Sequence, residues 1–444
     1  MGTRMRSAMP KVLHAVGGKP MIRHVLDTVM ALDATRLGVV VAPNHDAVAA
    51  AVRPAPTAIQ QPALGTAHAA LAAAGLFTDF AGDVFILFGD TPLIREATLR
   101  AMLARRAAPD APTVVVLGMR PAGANAYGRL ILDAKGGLDR IVEYKDATEA
   151  ERQAELCNSG VMLVDGARLF DLLARVDNKN AKGEYYLTDI VGLARADGGA
   201  AAVVEGEESE LLGVNDRVDL ALAEQVYQGR RREAAMRGGA TLIAPETVFF
   251  SHDVELGQDV IVEPNVVFGP GARILSGATI RAFSHIEGAT VAAGAVIGPY
   301  ARLRPGADIG EGARIGNFVE VKASVIEAGA KANHLAYIGD ARVGAGANIG
   351  AGTITCNYDG FGKHKTDIGK GAFIGSNTSL IAPVAIGDGA IVGAGSAVAR
   401  DVPANALGLV RAEQSNRPGW AEAFRARKAK EKAAKAANPS SKKA

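Results

Sequence analysis

The sequence predicts two unlike bodies on one chain: an α/β domain with a parallel sheet, then a parallel β-helix. Three observations carry that reading. The chain has 444 residues, more than one ordinary core accommodates. Its first half alternates short β-branched runs with alanine- and leucine-rich stretches. From about residue 240 the apolar residues recur every six positions.

The α/β domain is read over residues 1–215. Its strands are taken as "GVVVAP" (38–43), "DVFILFGD" (83–90), "PTVVVLGM" (112–119) and "GVMLVDG" (160–166), each bounded by turn residues. Helical segments such as "TAHAALAAAGLF" lie between them. Near-continuously apolar strands alternating with helices predict a parallel sheet covered on both faces. A ligand of such a sheet lies beyond the carboxyl ends of the strands. A linker helix follows over residues 216–239, stopped by the paired glycines Gly238 and Gly239.

The β-helix is read over residues 240–411. Leu256, Val262, Phe268, Ile274, Ile280 and Ile286 are six apart, and the register resumes at Val291, Ile297, Leu303, Ile309, Ile315 and Val321. It returns at Ile368, Ile374, Leu380, Ile386, Val392 and Val398. An α-helix at ~3.6 residues per turn rotates such a stripe off its face. A hexapeptide coil keeps it, with one large apolar residue pointing inward on each side of a triangular prism. Two stretches break the register: "ITCNYDGFGKHKTD" (354–367), read as an excursion loop, and "KASVIEAGAKANHLAYIGD", with Ala332 at an expected apolar site. Breaks in a solenoid are where loops and binding faces are placed.

Composition excludes several classes. No apolar run reaches the ~18 residues of a membrane span, and no secretory pattern follows the basic N-terminus. Cys157 and Cys356 are the two cysteines, without disulfide or metal spacing, which suits a reducing cytoplasm. The last twenty residues hold eight Lys/Arg against one Glu, and residues 412–444 are read as a solvated, disordered tail. The body shows no basic surface interleaved with aromatics, so nucleic acid is not an expected partner.

In the first half, Arg4 and Lys11 are cations suited to phosphates, and Asp90 ends a strand where an α/β sheet presents a metal-binding carboxylate. Residue types carry the argument no further. Taken in order, however, "GTRMRSAMPK", "LGTAHA" (64–69), "FGD" (88–90), "AYGRL" (126–130), "IVEYKDAT" (141–148), "NSG" (158–160), "NAKGEYYLTDI" (180–190) and "GVNDR" (213–217) form one set. It closely resembles the uridylyltransferase half of the bifunctional N-acetylglucosamine-1-phosphate uridylyltransferase/glucosamine-1-phosphate N-acetyltransferase family. The resemblance implies a Rossmann-like nucleotide-diphosphosugar transferase fold. It implies Arg4 and Lys11 on the UTP phosphates, Gln60, Gly65 and Thr66 around the uracil, and Phe88 and Gly89 beside the nucleotide. Mg²⁺ would sit on Asp90 and Asn215, and N-acetylglucosamine 1-phosphate near Gly128, Glu143 and Asn158.

The opening departs from that family. Its loop reads roughly L-A-A-G-x-G-T-R-M after an apolar strand, and this sequence carries only the last few of those residues. The expectation is that Met1 is not the natural start, and that the first strand and part of the phosphate loop lie upstream. The chain as it stands would then acetylate but uridylylate poorly.

In the second half, acetyl transfer to an amine needs a base that titrates near the working pH. His334 in "KANHLAYIGD" is the candidate, placed in a register break rather than at a core position. "RLRPGA", "GNFVEVKAS", "NHLAYIGD", "GAGTITCNYDG" and "IGSNTSLIAP" follow in order and resemble the family's acetyltransferase site. The resemblance implies His334 as general base and a left-handed hand for the β-helix. Arg304, Lys322, Tyr337 and Asn348 would bind glucosamine 1-phosphate, two cations suiting a dianion. Glu320 is read as orienting the base or the amine, against a plain surface ion pair. Ala351, Asn357, Tyr358, Ser376, Ala394 and Arg411 would line an acetyl-CoA groove between prisms of a homotrimer. Two other readings stand beside this one: an acetyltransferase with an inactive first domain, and a non-catalytic β-helical trimerisation scaffold.

Overall fold

The computed structural model describes residues 3–437. The chain divides into two compact units, one ending at Gly294 and one beginning at Ala295.

In the first unit, two 3₁₀ turns and a short hairpin lead into α1 (Met21–Met30), and β1 (Val39–Val41) and β2 (Thr57–Ile59) come after it. These two strands pair parallel and form a small sheet of their own. After α2 (Thr66–Ala72) come β3 (Asp83–Ile86), α3 (Glu96–Arg106) and β4 (Val114–Met119). A hairpin of β5 (Arg129–Leu132) and β6 (Leu138–Val142) precedes the long β7 (Cys157–Asp165). Helices α4 (Gly166–Arg175) and α5 (Asp189–Ala196) and strand β8 (Ala201–Glu205) complete the domain.

The sheet, expected to be parallel, is mixed. β8 runs parallel to β4, but β7 lies antiparallel to both β3 and β4. The β5–β6 hairpin reverses the chain before β7, and a continuously apolar strand carries no sign of its direction. Both faces are covered, as expected. Val114 and Val116 pack with α4 and α5 on one face, and Val115 and Leu117 with Leu99 and Met102 of α3 on the other. This is the period-two alternation of a strand buried on both sides.

Among the described residues, β1 pairs with β2 and β3 pairs with β7. A cavity of about 630 Å³ is lined by residues of both β1 and β3. Val39, Val41, Phe85, Leu87, Ile22 and Phe77 are among its walls.

α6 (Arg217–Arg237) falls within the span expected for a linker, inside the first unit, capped by Asp216 in a capping box and ended at Gly238. It holds the first β-helical coils. Gln228 Nε2 donates to Phe250 O at 2.8 Å, and its Oε1 accepts from Phe250 N at 2.9 Å. Arg231 and Arg232 donate to the carbonyls of Val254 and Val248. The coils begin at Thr241, where the sequence period changes, yet these bonds gather the first of them into the first unit.

The second unit is three parallel ladders of short strands around a core of Ile, Val and Leu, the arrangement of a left-handed β-helix of hexapeptide repeats. One ladder passes through Arg314–Asn317, Lys331–His334 and Asn348–Ile349. The next passes through Glu320–Lys322, Tyr337–Gly339 and Ile354–Cys356. Apart from the half-buried Leu256, every residue of the six-fold series is buried. The second expected break is present, but it does not fall at Ala332 or His334. Ala332 stays in register between Ile315 and Ile349, and His334 ends a regular strand. The chain shortens at the two ends of that stretch, by five-residue steps from Val321 to Ile326 and from Ile338 to Val343.

The tail also differs from its expectation. Trp420–Ala437 forms helix α7, all of it exposed. Its Ala, Lys and Arg are strong helix formers, and Trp420 stacks on Phe424 one turn on. Residues 438–444 lie outside the described residues.

Candidate active sites

In the first unit, the turn after β3 carries Phe88, Gly89 and Asp90. Asp90 O accepts from Val214 N at 2.9 Å, which joins the "FGD" turn to "GVNDR". The Lys11 ammonium contacts the Asp90 carboxylate and lies 3.3 Å from Asn215 Oδ1. One cation therefore reaches both oxygens at once. Two hard oxygen donors converging on one point fit Mg²⁺, which takes few protein ligands and keeps the rest for phosphate and water. Among the described residues no three His, Cys, Asp or Glu side chains converge on a further metal position. Asn215 is fixed from behind, its N–H donating to Asp219 Oδ2 at 2.8 Å.

Gly65 stands at φ +119°, and a Cβ there would lie 2.5 Å from Tyr185 O. Glycine is thus required where "LGTAHA" meets "EYYLTD". Gln60 Nε2 donates to Gly65 O at 2.9 Å, and Thr66 Oγ1 accepts from Leu187 N at 2.9 Å. Thr66 is thereby committed to this junction. Gly128 O accepts from Asn158 N at 2.8 Å, bringing "AYGRL" and "NSG" together. Burial raises the Glu143 carboxyl above its ordinary range, with Lys182 opposing the rise. Burial likewise pushes Asp189 up to about 6, helped by Asp177, Glu143 and Asp146. Arg4 is exposed on a short 3₁₀ turn, Thr3–Met5, held by Arg217 Nε on Met5 O at 3.3 Å.

In the second unit, Asn317, His334, Ala351, Ser376 and Ala394 occupy equivalent corner positions. Asn317 and His334 are ladder partners. Gly352 N donates to Leu335 O at 3.1 Å, Asn377 N to Ala351 O at 2.7 Å and Gly395 N to Ser376 O at 2.8 Å. Arg411 Nη1 closes the column on Ala394 O at 2.9 Å. Successive coils rise ~4.8 Å, so these residues form a line along one prism edge that leads away from His334. Each is followed by a left-handed residue: Phe318, Leu335, Gly352, Asn377 and Gly395. His334 Nδ1 lies 2.7 Å from Asn317 Oδ1.

Around that corner come Glu320 and its ladder partner Tyr337. Arg304 Nη1 donates to Glu320 Oε1 at 2.8 Å, and Arg302 lies 3.6 Å from the other oxygen. The Glu320 carboxylate is thus engaged by arginines. Asn357 Nδ2 donates to Asp340 Oδ2 at 2.5 Å and lies 3.5 Å from the Tyr337 hydroxyl. Asn348 lies on the neighbouring face, paired with Lys331 and Phe373.

One residue was not singled out by sequence. Lys363 folds back through a bridge with Tyr358, within the expected excursion loop, and its ammonium lies against that of Lys322. Lys363 pulls the Lys322 pKa below its ordinary value, with burial and Arg304 adding to the fall and Asp340 opposing it. Two adjacent ammoniums and a guanidinium form an arrangement that a dianion relieves. The signal was present in "DGFGK", whose paired turns reverse the chain, but it fixed no destination.

The chain matches the family of MobA-like NTP transferase domains over residues 1–181. It matches the bacterial transferase hexapeptide family over residues 288–323 and 365–400. It is 60% identical over 435 residues to the bifunctional protein GlmU of Paramagnetospirillum magneticum, covering 98% of this chain and 97% of that protein. It is 63% identical over 425 residues to the GlmU of Rhodospirillum rubrum, covering 96% and 95%. With the Sphingopyxis alaskensis GlmU it shares 56% over 434 residues, covering 98% and 96%. A nucleotidyltransferase-type first half and a hexapeptide second half, matched together over nearly full length, place this chain in the family of bifunctional GlmU proteins.

Proposed function

We propose that this chain makes UDP-N-acetylglucosamine in two steps. Acetyl-CoA first acetylates the amine of glucosamine 1-phosphate. UTP then uridylylates the product, releasing pyrophosphate. The observation that carries the first step is the corner column, with a histidine at its head and small or polar residues in line behind it. In that step His334 takes the proton as the amine attacks the thioester carbonyl, and coenzyme A leaves as the thiol. Lys322, Lys363 and Arg304 hold the phosphate dianion, with Tyr337 and Asn348 beside the sugar. Glu320 keeps Arg304 aimed. Ala351, Asn357, Tyr358, Ser376, Ala394 and Arg411 form the coenzyme A groove.

For the second step, Lys11 and Arg4 neutralise the UTP phosphates, and Gln60, Gly65 and Thr66 frame the uracil. Gly128, Glu143 and Asn158 hold the acetylated sugar. Mg²⁺ on Asp90 and Asn215, when bound, supplies charge neutralisation between the phosphates. The convergence of those two oxygens on one ammonium supports this assignment.

A homotrimer completes the groove. Its support is a ridge of Tyr300, Phe318 and Leu335, which are 47%, 57% and 60% exposed. All three sit at left-handed corners on successive coils. Bulky side chains in that conformation cost ~1–2 kcal/mol each, and asparagine or glycine fills the equivalent corners further on. Strain of this kind on an exposed edge suits a surface covered by a second copy. Among the described residues no helix is long and apolar enough to cross a membrane. We assign the enzyme to the cytoplasm, where its nucleotide substrates are made.

A two-part assay on the purified chain tests the reading. Thiol release is expected from acetyl-CoA with glucosamine 1-phosphate, and pyrophosphate release from UTP with N-acetylglucosamine 1-phosphate and Mg²⁺. Absence of thiol release refutes the first step, and absence of pyrophosphate confines the chain to acetylation.

A further inference from the structure

We infer that Asn317 is the positioning residue that selects which nitrogen of His334 acts as the base. The inference rests on the reading of His334 as the base for acetyl transfer. Asn317 and His334 end their strands one above the other, as ladder partners. The residues that follow, Phe318 and Leu335, turn the same left-handed corner at φ 56° and 50°. Leu335 N donates to Asn317 O at 3.0 Å. The two side chains therefore leave equivalent backbones and stack, with Asn317 Oδ1 2.7 Å from His334 Nδ1.

An amide oxygen accepts and cannot donate. A neutral imidazole held by it carries its proton on Nδ1, so Nε2 keeps the lone pair that takes a proton from the amine. Once Nε2 is protonated, the Nδ1–H still has its acceptor, and the ring need not reorient between turnovers. The contact is from a neutral group. It fixes tautomer and direction without the charge that a carboxylate would bring to the imidazolium. Glu320, the nearby carboxylate, is turned to Arg304 and Arg302 instead.

The test pairs spectroscopy with kinetics on the full chain. In ¹⁵N-histidine-labelled protein, the His334 signals are identified by their loss in His334→Gln. The expected result is a proton-bearing Nδ1 and an unprotonated Nε2, with a shift toward the other tautomer in Asn317→Leu. Partners that orient metal-bound histidines contribute ~10–100-fold, and an effect on that scale is expected for Asn317. Asn317→Leu should lower kcat for thiol release by about that factor with KM for both substrates nearly unchanged. Asn317→Asp, which still accepts from Nδ1–H, should recover most of it. A protonated Nε2 in the unaltered protein overturns the inference, and needs no variant to fold. So does a normal kcat in Asn317→Leu, or an Asp variant as slow as the Leu variant. If His334→Gln keeps normal thiol release, the base assignment fails instead, and the tautomer measurement still stands or falls separately.

Discussion

His334 and Asp189 show how much of a site a residue type can announce. His334, a lone histidine between Asn333 and Leu335, is proposed as a base only through the ordered set of motifs around it. Its stacking on Asn317 could not be read, because that depends on coils of unequal length bringing residues seventeen apart into line. Lys363 was invisible for a similar reason: its place beside Lys322 is set by how a loop folds back. Lys363→Ala should raise KM for glucosamine 1-phosphate several-fold with a smaller effect on KM for acetyl-CoA, as initial-rate kinetics would show. Equal effects on both would remove it from the phosphate site. Asp189 makes a prediction about pH. Its carboxyl, ordinarily near 3.8, is pushed to about 6 by burial and by Asp177, Glu143 and Asp146. The folded state therefore binds more protons than the unfolded chain between pH 3.8 and about 6, and its contribution to stability falls across that window as pH rises. Asp189→Asn should remove this loss, so its melting temperature should exceed the unaltered protein's at pH 7 by more than at pH 4. An equal difference at both values would contradict the assignment.

At the scale of elements, the β-helix was legible and the first sheet only partly so. A hexapeptide coil turns one residue inward on every side, so burial and sequence share a period. Strand direction has no such trace, and β7 runs opposite to expectation because of the β5–β6 hairpin that precedes it. A cavity is lined by residues of both β1 and β3. Apolar side chains lining a cavity lose dispersion contacts, and an added strand that filled it and paired with β1 or β3 would gain ladder hydrogen bonds as well. Each such bond nets ~0.5–1.5 kcal/mol, and each kcal/mol moves Tm by ~2–4 °C in a domain of this size. Fusing an apolar, β-branched strand and a glycine-rich turn ahead of the chain should raise the first domain's melting temperature by roughly 5–10 °C. It should also speed pyrophosphate release. An unchanged melting curve in calorimetry would show that the cavity does not take a strand. The ridge makes an independent prediction. Asparagine tolerates the left-handed corner better than an aromatic does. Phe318→Asn combined with Tyr300→Asn should leave the isolated chain as stable as before while lowering the mass seen by light scattering at micromolar concentration. A trimer of unchanged stability in that variant would place the interface elsewhere.

For the whole molecule, the central claim is that one chain carries two chemistries at separate sites, the second using the product of the first. General-base loss costs ~10²-fold or more, and loss of a metal carboxylate affects phosphate chemistry alone. The direct measurement supplies glucosamine 1-phosphate, UTP, Mg²⁺ and acetyl-labelled acetyl-CoA together, and follows the label by chromatography. In the unaltered chain, label should enter an acetylated sugar phosphate and then a UDP-sugar. In Asp90→Ala it should accumulate in the acetylated sugar phosphate. In His334→Ala almost none should leave acetyl-CoA, while added N-acetylglucosamine 1-phosphate should still be uridylylated. Label reaching UDP-sugar undiminished in either variant, or both reactions lost together in a variant that remains folded, would contradict the account.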